Sequence, residues 1–237
     1  MTSTSRPKVF LIGATGYLGH SLGRAYVAAG WDTYGLVRSP QKAAMLAAME
    51  VQPIPGNLKD VATLSATVKG RVDYLDAIVV TVEDLGAYAT FITGLVDLLR
   101  DLAQHSNAHG IRPIVLLTSG MKDYGPTALH GAADLLPLTE DSPMNTPEPL
   151  QIRAEYSHRI LEQSDLFDGV LVRLPNLYGL SGSVYAYFFQ LVEAAKGNGI
   201  LQLVLDPKTI LHSMHVDDCA EAILMLTKDE NRNSVKQ

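Results

Sequence analysis

The chain has 237 residues, of which 47% are hydrophobic, enough to bury a full core in one domain. Its net charge is -6, and its basic residues form no run, which argues against nucleic acid and anionic membranes as partners. The only cysteine, Cys219, has no partner for an internal disulfide; the polar N-terminus has no signal-peptide core, and no apolar run reaches the roughly 20 residues of a membrane span. These features lead us to expect a soluble, cytoplasmic protein.

The first apolar run, Lys8 to Ile12, reads as a buried strand and leads directly into Gly13-Ala14-Thr15-Gly16-Tyr17-Leu18-Gly19. Leu18, Leu22, Ala25, Tyr26 and Ala29 then recur at helical spacing, with Gly30 as the stop. A strand, a glycine turn and a helix together aim free backbone N–H groups and a positive helix end at one spot. A pyrophosphate fits there, so this segment predicts a dinucleotide site.

Further along, residues 32–37 form strand two, and Ser39-Pro40 starts a helix to about residue 50. Residues 51–54 are strand three, and Asp60 caps a helix that ends before Gly70. Strand four covers 77–82, a long helix 86–104, and strand five 113–118. Between Gly120 and Leu150 five prolines break all periodicity, and a segment this long after a strand end reads as a functional loop. A helix over 150–163, strand six over 169–174, a helix over 184–196 and a short strand over 200–204 follow. Asp218 and Glu221 have capping-box spacing before a last helix, 220–227. The alternation specifies an α/β, doubly wound, mostly parallel Rossmann-type sheet, a single domain with a small C-terminal substrate portion over 175–215.

Five segments in this order resemble the short-chain dehydrogenase/reductase superfamily, in its extended and atypical branches of epimerases and dehydratases. They are Gly13 to Gly19, Gly56-Asn57-Leu58-Lys59-Asp60, Thr118-Ser119-Gly120 with Tyr124-Gly125, Arg173 to Gly179, and His215-Val216-Asp217-Asp218. The resemblance implies that Gly13, Gly16 and Gly19, with Thr15, Tyr17 and Leu18 between them, hold the pyrophosphate. It implies that Asn57 and Leu58 border the adenine, where the family usually has Asp-Leu. Thr81 and Val82 would line the adenine ribose and nicotinamide side, and Pro175 and Asn176 the nicotinamide. The helices near 86–104 and 150–163 are where relatives often pair, which implies a homodimer.

NAD-specific sites usually end strand two with an acid that holds the ribose 2′-OH. Here the strand ends in Arg38, whose planar fork suits a 2′-phosphate, so NADP is expected over NAD. The reaction centre departs from the family. Its usual tyrosine has a lysine four residues on, sharing a helix face, and none of the ten tyrosines here does. The best-placed tyrosine is Tyr156, but position 160 is Ile, and Tyr156 falls in a stripe with Ile152 and Ile160 that suggests a core role. Arg153 and Arg159 flank it. Counting back from Tyr124-Gly125, the usual hydroxyl position falls on Gly120, which leaves Ser119 as the nearest candidate. Lys122, Asp123 and Tyr124 lie on the active-site loop and could supply an alternative acid or base, but charged loop residues are more often solvated. The cluster of His212, His215, Asp217 and Asp218 lacks metal-ligand spacing, so no metal is expected. The leading reading is an NADP-dependent oxidoreductase or epimerase-like enzyme acting on a small molecule. The alternatives are a non-catalytic NADP-binding regulator and a redox-neutral lyase or cyclase.

Overall fold

A computed structural model describes residues 5–180, 182–197, 199 and 206–228. Six strands form one parallel sheet: β1 (Lys8–Ile12), β2 (Asp32–Val37), β3 (Gln52–Pro55), β4 (Ala77–Val80), β5 (Ile114–Gly120) and β6 (Asp168–Leu174). Their spatial order is β3-β2-β1-β4-β5-β6, which matches the doubly wound α/β fold expected. The chain reverses its winding between β1 and β4, and ligands of such sheets bind beyond the carboxyl ends at that reversal.

Side-chain alternation along each strand splits the core in two. Phe10, Ile12, Ile78, Val80, Val115 and Leu117 face one layer, closed by α3 (Val61–Lys69) and α4 (Tyr88–Ala108). Val9, Leu11, Val79 and Leu116 face the other, closed by α1 (Tyr17–Ala28) and α7 (Val216–Thr227). Helix α4 buries Ile92, Leu95, Leu99 and Leu102 at spacings of three and four. Ser39 and Asp60 cap α2 (Pro40–Ala47) and α3 as expected, accepting from the Lys42 and Thr63 N–H groups.

Three expectations need correction. The helix over 150–163 is an α-helix, α5, only from Gln151 to Ser157; the next six residues wind as a tighter 3₁₀ turn. The expected stripe therefore does not hold along its length: Ile160 is fully buried, whereas Ile152 is 39% exposed. The last helix begins at Val216, not Ala220, and Asp218 is not its cap. His215 is, with Nδ1 accepting from the Asp217 N–H at 3.2 Å. That leaves Asp217 and Asp218 in the first turn, where the helix dipole favours acids. Finally, Asn176–Tyr178 (β7) and Ser213–His215 (β8) pair in a separate parallel ladder, which no sequence pattern announced. The strand expected over 200–204 lies outside the described residues. Helix α6 (Val184–Ala195) starts at its Ser183 cap. No helix among the described residues is long and apolar enough to cross a membrane.

The corrected stripe has a measurable consequence. Chemical denaturation should find Ile160→Ala destabilised by about 2–5 kcal/mol and Ile152→Ala changed by no more than about 0.5 kcal/mol. Comparable losses at both positions would restore the continuous buried stripe.

Candidate active site

The glycine turn connects β1 to α1 at the point of reversal. Gly13 has φ +107°, and a Cβ there would overlap Thr81 Oγ1, so only glycine fits. A Cβ at Gly19 would overlap the Gly13 carbonyl oxygen, so this glycine sets the close approach of helix to turn. Thr81 follows β4 directly and donates its N–H to Ile12 O at 2.8 Å, locking the two strand ends together. No side chain caps α1, and its first turn carries no acid, unlike α2 and α3 with their Ser and Asp caps. Its N-terminal N–H groups and dipole thus remain available to an anion. The turn fits a dinucleotide pyrophosphate on these grounds. A Cβ at Gly16 would meet only the Gly13 oxygen, at 3.2 Å, so the space beyond it is open for that ligand.

Two cavities lie along the carboxyl ends of the strands, and the larger one reaches this turn. A cleft of about 350 Å³ lies over the ends of β2 and β3, lined by Arg38, Gly56, Asn57 and Asp60 among others. Arg38 and Asn57 stand there as the sequence suggested. Leu58 does not: it packs against the core beneath. Asp60 lines this cleft while its Oδ1 accepts from the Thr63 N–H at 3.2 Å.

The larger cavity, about 900 Å³, lies beyond β4, β5 and β6. Tyr17, Leu18, Thr81, Val82, Ser119, Pro175 and Asn176 all line it, so the structure brings these seven expected residues onto one wall. Tyr17 donates its hydroxyl to Gly179 O at 2.6 Å. Burial and then the Asp217 carboxylate raise its pKa, so it stays a donor. Tyr156 does not line the cavity. Its ring packs on the core, with the Arg159 guanidinium 4.7 Å from its centroid.

The most heavily charged element of the wall escaped the sequence reading. Asp123, expected to be solvated, is fully buried in the 3₁₀ turn after β5. Its Oδ1 accepts from Arg153 Nη2 at 2.6 Å and from Arg153 Nε at 3.1 Å. Its Oδ2 accepts from Ser119 Oγ at 2.7 Å and lies 3.5 Å from Arg173 Nε. The Ser119 proton is therefore already engaged by Asp123. Arg173 donates from Nη2 to His158 Nε2 at 2.9 Å and lies 5.2 Å from the centre of the Tyr124 ring. Burial, then the Arg173 charge, lowers the His158 pKa. Thr146 donates to Asp123 O at 2.6 Å, tying the far end of the irregular loop to this cluster. Arg153 itself lines the cavity, with Glu83 Oε2 3.7 Å from its Nη1. A Cβ on Gly120 would come within 3.0 Å of Arg153 Nη2. The guanidinium thus fills the place where a hydroxyl side chain at 120 would project. No short-range signal joins residues 30 positions apart; the only hint was an arginine on the face of a short helix.

Comparisons with known proteins agree with this architecture. The chain is 25% identical over 237 residues to an uncharacterized protein, C2A9.02, of Schizosaccharomyces pombe, covering 96% of the chain and 73% of that protein. The dTDP-glucose 4,6-dehydratase of Bacillus anthracis, solved with NAD, matches with a TM-score of 0.72 at 14% identity, over 94% of this chain and 72% of that one. The UDP-glucose 4-epimerase of Brucella ovis, also solved with NAD, matches with a TM-score of 0.67 at 16% identity, over 96% and 74%. The family model for the NAD dependent epimerase/dehydratase family matches residues 9–236, nearly the whole of the chain. With the glycine turn, the switch-point cavity and the six-stranded parallel sheet all in place, this chain belongs to that family.

Proposed function

We propose that the protein binds NADP(H) and acts as an oxidoreductase or epimerase-like enzyme on a small molecule held in the larger cavity. One observation carries this reading. Tyr17 and Leu18, at the uncapped start of α1, line the same cavity as Ser119, Arg153, Pro175 and Asn176. A dinucleotide anchored at the glycine turn has its redox-active end directed toward that shared wall. When bound, it supplies hydride exchange with a carbonyl or carbinol carbon. The chain itself binds the phosphates at Gly13 to Gly19, closes the adenine end with Asn57, and orients the reacting end with Thr81, Val82, Pro175 and Asn176.

The structural neighbours named above hold NAD, so the choice of NADP rests on Arg38. Strand β2 ends at Val37 with no acid following, and Arg38 lines the adenine-end cleft. The acid in that cleft, Asp60, is engaged as the α3 cap. A guanidinium there complements a 2′-phosphate and offers nothing specific to a free 2′-OH.

The lack of a Tyr–Lys pair favours a second reading, a dinucleotide-binding regulator without turnover. NADP⁺ binding without NADPH oxidation across a panel of carbonyl substrates would select it.

Three outcomes test the proposal. Calorimetric titration should give tighter binding of NADP⁺ than of NAD⁺, and Arg38→Ala should lose about 1.5–3 kcal/mol for NADP⁺ alone. Equal affinity of the wild type for both overturns the NADP assignment. Gly16→Val should stay folded by circular dichroism yet bind neither dinucleotide, because its side chain enters the space beyond the turn. Normal binding by that variant would move the cofactor site elsewhere. Tyr156→Phe should leave melting temperature and turnover nearly unchanged, since its ring serves the core. A drop of about a hundredfold, the size of a lost general acid or base, would place proton transfer at Tyr156 after all.

A further inference from the structure

Behind the cavity wall, two guanidinium groups share one buried acid. Asp123 is the one fully buried acid of the cluster, and two guanidinium groups share it: Arg153, with its side chain 8% exposed, and Arg173, 14% exposed. His158 adds no further positive charge, because burial and Arg173 favour its neutral form. Arg173 Nε is buried and makes no hydrogen bond, so a single carboxylate does not satisfy both cations. Its buried members carry an excess positive charge that only the partly exposed Glu83 beside Arg153 offsets, and Arg153 is the member that lines the cavity. A buried unbalanced cation is costly, and a counter-ion at its open edge relieves that cost.

One edge of the Arg153 guanidinium is held less tightly than the other. Arg153 spends Nε and Nη2 on one oxygen of Asp123. Its Nη1 has the Glu83 carboxylate 3.7 Å away, beyond hydrogen-bond distance, and Glu83 is itself 39% exposed. Lys122 contributes a second cation to the same wall. Much of the rest of the lining is apolar, with Leu129, Leu138, Leu174, Leu177, Val184 and Phe188, although Thr127, Tyr185 and Thr209 also line it. Such a lining suits a hydrophobic body with a few polar groups.

We propose that this cavity takes an apolar or aromatic small molecule bearing a carboxylate, held on the Nη edge of Arg153, with Asp123 as the residue that positions the guanidinium. The proposal rests on the substrate cavity of the previous subsection but not on the identity of the dinucleotide. Gly120 is part of the device. Its missing side chain gives the guanidinium its seat, with Cζ and Nη1 both 3.4 Å from where a Cβ would stand. Glu83 acts as the internal competitor that the ligand's carboxylate displaces.

Benzoate is a suitable probe, an aromatic ring with one planar carboxylate; benzyl alcohol keeps the ring and removes the charge. Calorimetry on the full chain, with and without NADP⁺, should show benzoate bound by the wild type at millimolar concentration or better. Benzyl alcohol should bind at least about tenfold more weakly, given the strength of charge-assisted pairing. Arg153→Gln should weaken benzoate by about tenfold or more, and Glu83→Gln should tighten it by removing the competing charge. Should Arg153→Gln fail to fold, Gly120→Ala displaces the same guanidinium with one methyl group, and it should weaken benzoate in the same direction. No benzoate binding by the wild type overturns the proposal. So do equal binding of benzyl alcohol and undiminished affinity in whichever of the Arg153 and Gly120 variants folds. Arg153-dependent benzoate binding in a protein that ignores NADP⁺ would instead overturn the dinucleotide reading and leave this one standing.

Discussion

The buried carboxylate of Asp123 organises the wall of the larger cavity. A fully desolvated acid persists as a charge only when hydrogen bonds and cations surround it. Here Ser119 from β5, Arg153 from α5 and Arg173 from β6 converge on its two oxygens. Thr146 binds the backbone of the same residue from the far end of the irregular loop. Four separated segments are thereby fixed around one residue, and removing the acid would leave two guanidinium groups without their shared partner in a poorly hydrated wall. Breaking such a pair costs about 3–5 kcal/mol, more than a typical surface substitution removes. The loop after β5 is irregular because it is built around this charge rather than around a hydrophobic stripe.

The dinucleotide end depends on a different constraint, the close approach of backbone to backbone. Gly13 and Gly19 each occupy positions where a methyl group would strike main chain or Thr81. Thr81 in turn ties β4 to β1. The uncapped N-terminus of α1 is a consequence of this packing: a capping side chain would project into the space an anion needs. The two ends are therefore built on unlike principles, one on absent side chains and one on buried charge.

That contrast explains how much could be read from the sequence. Strand runs such as 8–12 and 114–117 are apolar because both faces of the sheet are covered, so composition alone reveals them. The glycine turn is local, seven residues in a row, and the Ser39 and Asp60 caps act over three residues. The Asp123–Arg153 pair spans 30 positions, and nothing in either residue's neighbourhood distinguishes it from solvated charge. His215 escaped notice as a cap because histidine is an uncommon choice beside the nearby aspartates. Ile152 and Ile160 looked like one stripe because α-helical periodicity was extended through a segment that tightens to 3₁₀ at His158. Local signals survived; pairings closed by the fold did not.

The charge cluster also sets what this wall can do. A guanidinium stays protonated across the physiological range, so Arg153 holds negative charge but does not pass a proton. Tyr17, which shares the cavity, is kept protonated by burial and by Asp217, and its hydroxyl is already donated to Gly179 O. Ser119 is likewise spent on Asp123. The groups nearest the switch point are thus arranged to bind and orient an anion, with their own protons committed to internal hydrogen bonds. A tyrosine paired with lysine solves a proton-transfer problem; a guanidinium seated over a glycine solves a charge-holding one. On the proposed reading, proton exchange with a bound molecule is left to solvent.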